Sequence, residues 1–201
     1  MLKKVLVASA IFALSSNAAF AGAYVGADLG ANFALYKEEP QGLATVRFGD
    51  VGPMADLFVG YGQLVKEKFY LGGEAFTTGF ATRVKAIDSD DFTHSFDTRY
   101  SYGVSLIPGV MISDNTMAYA RVGVVRTGFR VKTSVEGYDE STNEISNGGQ
   151  AGLGLQTHLT PNLDLRGEYD FTSYKSFTTG EDEKITPTSG QVKLGLVYKF
   201  N

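Results

Sequence analysis

An all-β fold, an eight-stranded antiparallel up-and-down transmembrane β-barrel following a cleaved N-terminal signal peptide, is the class this sequence predicts. Three observations predict it. Apolar and other residues alternate with a period of two in eight separate runs, the spacing of a strand with two different faces. The joins between those runs alternate between long polar stretches and short turns. The chain opens on a segment with the layout of an export signal. Composition agrees: Gly at 24 and Tyr plus Phe at 11 and 14 favour strands and turns over helices.

The export signal spans Met1 to Ala21. Lys3 and Lys4 form its positive start, Val5 to Leu14 its apolar stretch, and Ala19-Phe20-Ala21 its small-residue cleavage site. Ser15, Ser16 and Asn17 interrupt the apolar run after ten residues, too soon for a helix that needs about 20 to cross a bilayer. The expected organisation is a signal peptide over 1–21 and one barrel domain over 22–201. Losing Lys3 and Lys4 leaves 16 basic against 22 acidic residues, a balance of -6. An acidic exported chain has no bulk attraction for nucleic acid, so a nucleic-acid partner is not expected.

The first run sets Val25, Ala27, Leu29, Ala31, Phe33 and Leu35 against Gly26, Asp28, Gly30, Asn32 and Ala34. The second sets Ala55, Leu57, Val59 and Tyr61 against Asp56, Phe58, Gly60 and Gly62; the third sets Leu71, Gly73 and Ala75 against Tyr70, Gly72, Glu74 and Phe76. In the fourth, Tyr100, Tyr102, Val104 and Leu106 oppose Arg99, Ser101, Gly103 and Ser105, and in the fifth Ala118, Ala120, Val122 and Val124 oppose Tyr119, Arg121 and Gly123. The sixth carries Ala151, Leu153 and Leu155 against Gln150, Gly152, Gly154 and Gln156. The seventh carries Leu163, Leu165, Tyr169 and Phe171 against Asp164, Arg166, Glu168 and Asp170. The eighth carries Val192, Leu194, Leu196, Tyr198 and Phe200 against Gln191, Lys193, Gly195, Val197 and Lys199.

A soluble β-sandwich also alternates, with its apolar face turned to a shared core. Here the second face is crowded with Gly and with charges of both signs, which suits the narrow interior of a small barrel whose apolar face meets lipid. The long joins, Tyr36 to Met54, Ala81 to Ser95, Phe129 to Gly148 and Thr172 to Ser189, read as external loops. Gln63 to Lys68, Ser113 to Thr116 and Thr160 to Asn162 read as periplasmic turns. Closure of such a barrel satisfies every backbone hydrogen bond in lipid.

Candidate sites follow from parity. Asp28, Asp56, Glu74, Asp164, Glu168 and Asp170 share the inward face with Arg99, Arg121, Arg166 and Lys193. Burying unpaired charge costs several kcal/mol, so opposite signs should meet. Glu74, Arg121, Arg166, Glu168 and Lys193 are expected to form a lumenal charge network, either a gate on a narrow ion path or a lock that fills the barrel. Outward Tyr100, Tyr102, Tyr169 and Phe171, with Tyr198 and Phe200, are expected to form aromatic girdles. No catalytic residue is assigned: His94 lies too near Ser95 and Asp97 along one strand to converge with them as a triad, and His158 lies at the periplasmic end, remote from the outer leaflet where lipid A resides. No Cys is present, and the acidic runs Asp88 to Asp91 and Glu181 to Glu183 lack the Gly and distal Glu of a Ca loop, so no metal or cofactor is expected. The third loop, with Glu136, Asp139, Glu140 and Glu144, is acidic and suits a protein partner better than a polyanion.

The closing strand Lys193-Leu194-Gly195-Leu196-Val197-Tyr198-Lys199-Phe200 resembles the polar-x-Gly-x-x-aromatic-x-Phe signal of small eight-stranded outer-membrane β-barrel proteins, typified by the OmpA transmembrane domain and OmpX. The resemblance covers Gly22 to Asn201, with Asn201 following the Phe where the family usually stops. It implies that Lys193, Gly195, Tyr198 and Phe200 are read by the barrel-assembly machinery, that outer-membrane lipid and lipopolysaccharide surround the barrel, and that the protein resides in the outer membrane of a Gram-negative bacterium. No peptidoglycan-binding domain is expected beyond the barrel. The function expected is non-enzymatic: envelope integrity, with acidic surface loops available to a partner. A small porin is the alternative, favoured by space at the many inward glycines and opposed by inward Tyr70, Phe76 and Tyr119; a surface adhesin and a lipid A-modifying enzyme rank behind it.

Overall fold

The computed structural model describes residues 22–39, 46–89, 92–135, 138–179 and 183–200, with side chains over 22–35, 49–81, 99–129, 145–176 and 186–200. The expected signal segment lies outside them. The strands are β1 (Gly22–Glu39), β2 (Val46–Lys66), β3 (Phe69–Ser89), β4 (Phe92–Met111), β5 (Thr116–Val135), β6 (Tyr138–His158), β7 (Leu163–Tyr174), β8 (Phe177–Thr179) and β9 (Glu183–Phe200). Each of β1 to β6 pairs antiparallel with the strand that follows it. β9 pairs with β7 on one side and β1 on the other, so eight strands close a barrel, while the three-residue β8 adds only a short hairpin on β9.

The period of two is realised as an inside-out protein. Leu29, Val124 and Leu153 are 70%, 62% and 71% exposed, whereas Arg121, Arg166, Asp164 and Asp170 are 1% exposed or less. A sandwich would bury the leucines. An apolar exterior around a polar interior is stable only where the exterior solvent is lipid.

Two expectations are corrected. The four long joins are not mainly loops, because strand pairing runs well into them: Glu38 pairs Val46, Ser89 pairs Phe92, Val135 pairs Tyr138 and Thr179 pairs Glu183. In sequence these stretches are rich in charged and turn-forming residues, which makes them read as loops although the ladder continues. Arg99 does not face the lumen; it is exposed, at register shifts between Gly79 and Thr82 on one side and Thr98 and Tyr100 on the other. A bulge there inserts an unpaired residue and reverses parity. Pro108, by contrast, causes no shift: Leu106 pairs Val122 and Gly109 pairs Tyr119 in the same register.

Four of the inward glycines are recesses filled by rings. Each of four inward rings lies directly opposite one of them across a strand pair: Tyr24 opposite Gly60, Phe58 opposite Gly26, Phe76 opposite Gly103 and Tyr119 opposite Gly154. A Cβ at Gly60 would lie 2.3 Å from the Tyr24 ring, and one at Gly154 would lie 2.3 Å from that of Tyr119. The glycines therefore serve as recesses for aromatic side chains, the close approach that only a residue without a Cβ allows. Tyr70, Ile107, Met117 and Tyr119 pack together toward the periplasmic turns, and Tyr24, Phe58, Phe76, Val125, Phe129, Tyr174 and Val197 form a second apolar cluster.

Candidate functional site

All five residues expected in the lumenal network meet there. Glu74 on β3 takes one arginine on each oxygen: Oε1 accepts from Arg166 Nη1 at 2.7 Å, and Oε2 accepts from Arg121 Nη2. Lys193 on β9 lies 2.6 Å from Glu168 Oε1, and Arg121 Nε lies 3.0 Å from that same oxygen. Strands far apart in sequence are thus tied across the barrel interior by charge-assisted contacts among guanidinium, ammonium and carboxylate groups.

The network is larger than those five. Asp28 Oδ2 accepts from Arg166 Nη2 at 2.9 Å, Asp170 Oδ2 lies 2.6 Å from Lys193 Nζ, and Asp56 Oδ2 lies 3.3 Å from it. Neutral groups hold the carboxylates from other directions. Tyr24 donates to Glu74 at 3.0 Å, Tyr119 to Glu168 at 2.6 Å, and Thr78 to Asp56 at 3.0 Å. The Arg166 guanidinium stacks 3.7 Å above the Phe58 ring, and that of Arg121 lies 5.6 Å from Phe76, so the charged belt is sealed against the aromatic packing beside it. Asp28, Asp56 and Asp170 have the parity that reveals them. The tyrosine donors do not, because Tyr24 and Tyr119 read as apolar filling and reach the carboxylates only through their hydroxyls.

A second cluster lies at the periplasmic mouth. Asp164 Oδ1 contacts His158 Nδ1 at 2.6 Å and Lys199 Nζ at 2.9 Å, and Gln156 donates to Oδ2 at 2.7 Å. His158 and Asp164 are cross-strand partners, so pairing register rather than sequence spacing brings them together. The side chains of His94, Ser95 and Asp97 and of the acidic loop residues lie outside the described set. Among the described residues no group of His, Asp and Glu is arranged to hold a metal ion.

The remaining expected residues fall on the predicted faces. Tyr100, Tyr102, Tyr169 and Phe171 are 46% to 52% exposed on the outer wall. Tyr198 and Phe200 also face outward, with rings 5.3 Å apart edge to face. Gly195 faces in, where a Cβ would collide with Asp28 Oδ1 at 2.0 Å. Lys193 is thus both a network member and part of the C-terminal segment read as an assembly signal.

A closed antiparallel barrel with an apolar wall, inward charges and short turns at one end defines an integral outer-membrane β-barrel protein. The chain belongs to the outer membrane protein beta-barrel domain family, whose model matches residues 5–200, and its place is the outer membrane of Gram-negative bacteria. None of the curated proteins matches it. Among solved structures it is similar to the outer membrane protein OprG of Pseudomonas aeruginosa, at 14% identity and a TM-score of 0.54 over 93% of this chain and 100% of that one. The outer membrane protease OmpT of Escherichia coli aligns at 9% identity and a TM-score of 0.54 over 94% and 99%. A major outer membrane protein of Thermus thermophilus aligns at 14% and 0.51 over 89% and 100%. At these identities the likeness shows the fold alone.

Proposed function

We propose that this protein is a non-enzymatic structural component of the outer membrane, a barrel whose lumen is locked rather than open. The observation that carries the reading is the belt of Asp28, Asp56, Glu74, Arg121, Arg166, Glu168, Asp170 and Lys193, each 5% exposed or less and joined into one network across the interior. An eight-stranded barrel has room for little beyond its own side chains, and here aromatic rings occupy the recesses at the inward glycines. That supports a scaffold over a small porin.

The role in envelope integrity is tested by deleting the gene and measuring leakage of a periplasmic enzyme and survival in detergent. Greater leakage, reversed by the wild-type gene on a plasmid, is the expected result. An intact envelope in the deletion strain would overturn the reading.

A further inference from the structure

The outer wall carries one feature that neither a lock nor an anchor requires. Tyr102 on β4, Arg126 on β5, Asn147 on β6 and Lys175, just past the end of β7, form a lateral row. Tyr102 is paired with Arg126, and Arg126 with Asn147. The Lys175 amide donates to the Asn147 carbonyl at 2.9 Å, which sets Lys175 beside Asn147. All four side chains are exposed on the lipid-facing side, and among the described residues neither Arg126 nor Lys175 makes an ion pair. The row lies toward the end of the barrel away from the short turns, as Arg126 and Lys175 follow the starts of β5 and β7 by ten or more positions.

Cations on the lipid-facing wall of a barrel are costly at the bilayer midplane and cost little near the interface, where anionic headgroups are available. Directly beneath this row lies a groove of about 1090 Å³ whose lining includes Tyr102, Val124, Arg126, Asn147, Gly149 and Lys175. Gly149 floors it, and a Cβ added there would meet nothing within 4 Å. Val124, 62% exposed, and Tyr102, 47% exposed, wall it with apolar surface. Two unpaired cations with an amide between them, set above an apolar trough, are complementary to a molecule with phosphate at one end and acyl chains at the other.

We infer that this face is a binding site for the phosphorylated, multiply acylated glycolipid of the outer leaflet: Arg126 and Lys175 take its phosphates, Asn147 hydrogen-bonds its sugar headgroup, and an acyl chain lies along Val124 over Gly149. The site rests on the outer-membrane placement of the barrel and not on the lumen being closed, so a conducting lumen would leave it standing. Guanidinium suits phosphate through paired N–H donors, while the lysine contributes a mobile point charge.

The test is native mass spectrometry of the refolded barrel, titrated with bis-phosphorylated lipid A, with the same lipid lacking both phosphates, and with phosphatidylglycerol. Saturable binding of lipid A is expected, with Arg126→Ala/Lys175→Ala binding about tenfold or more weakly, since both phosphate contacts are charge-assisted. Arg126→Lys/Lys175→Arg should keep most of the affinity, and a Lys66→Ala/Lys68→Ala control at the periplasmic turn should keep all of it. Lipid A lacking phosphate and phosphatidylglycerol should both bind more weakly than lipid A. Heat-modifiable mobility on gels verifies that each variant is folded. Equal lipid A binding by wild type and Arg126→Ala/Lys175→Ala would overturn the inference, and so would phosphatidylglycerol binding as tightly as lipid A, which would mark simple attraction to any anionic lipid.

Discussion

Arg166 and Glu74 stand 92 residues apart in sequence and meet at 2.7 Å inside the barrel, while the second oxygen of Glu74 is held by Arg121. β7, β3 and β5 are thereby fixed to one another through the lumen as well as around the wall. Glu74 is the hinge of that arrangement, because both arginines lose their shared counter-charge without it.

Replacing Glu74 with Ala should accordingly destabilise the barrel by about 1–3 kcal/mol, because the contacts that Arg121, Arg166 and Tyr24 make to it are lost while Glu168 and Asp28 still hold the two arginines. Urea unfolding of the protein refolded into liposomes measures this. A Glu74→Ala midpoint equal to that of wild type would show that the network holds nothing together.

Gly154→Val places carbon atoms where the Tyr119 ring lies. The variant should lose about 1–3 kcal/mol through overpacking. Adding Tyr119→Ala to Gly154→Val should recover part of the loss, even though Tyr119→Ala alone also destabilises. The sign of that coupling, read from a double-mutant cycle of unfolding midpoints, separates a steric recess from a backbone requirement for glycine.

Leu153, adjacent to Gly154 in sequence, is 71% exposed on the opposite side of the wall. Leu153→Arg should cost about 2–4 kcal/mol in a lipid bilayer if it lies near the midplane. Refolding the variant in bilayers and in detergent micelles, where water reaches the wall more easily, should show the larger defect in bilayers.

If Tyr198 and Phe200 form the assembly signal that the closing strand resembles, Phe200→Ala should lower the amount of barrel inserted in cells while leaving spontaneous refolding in detergent nearly unchanged. Comparing membrane fractions with in vitro folding yields distinguishes the two effects. Equal losses in both would make Phe200 a stability residue instead.

Most of the barrel is legible in the sequence because lipid on one side and packed charge on the other impose a strict period of two. Leu29 beside Asp28 and Leu153 beside Gly154 report their faces unambiguously. That signal is broken by Gly49, Asp50, Gly52 and Pro53 between Val46 and Met54, and the stretch reads as a loop although the β1–β2 ladder runs through it. It misplaces Arg99 because a bulge adds one residue that sequence does not mark. Parity identifies the charged partners of the lumen but not their geometry: whether Glu74 meets one arginine or two depends on how strand stagger aligns β3, β5 and β7 around the barrel. The inward glycines read as space, and only the register of Tyr24 with Gly60 and of Tyr119 with Gly154 shows that the space is filled.

The locked lumen is the claim on which the functional account turns, and single-channel recording of the purified, refolded residues 22–201 in planar bilayers tests it most directly. With folded protein verified in the same membranes, the account predicts a silent trace for wild type. Reproducible conductance steps that change size in Arg121→Ala would contradict it and make the charge belt the gate of a small pore.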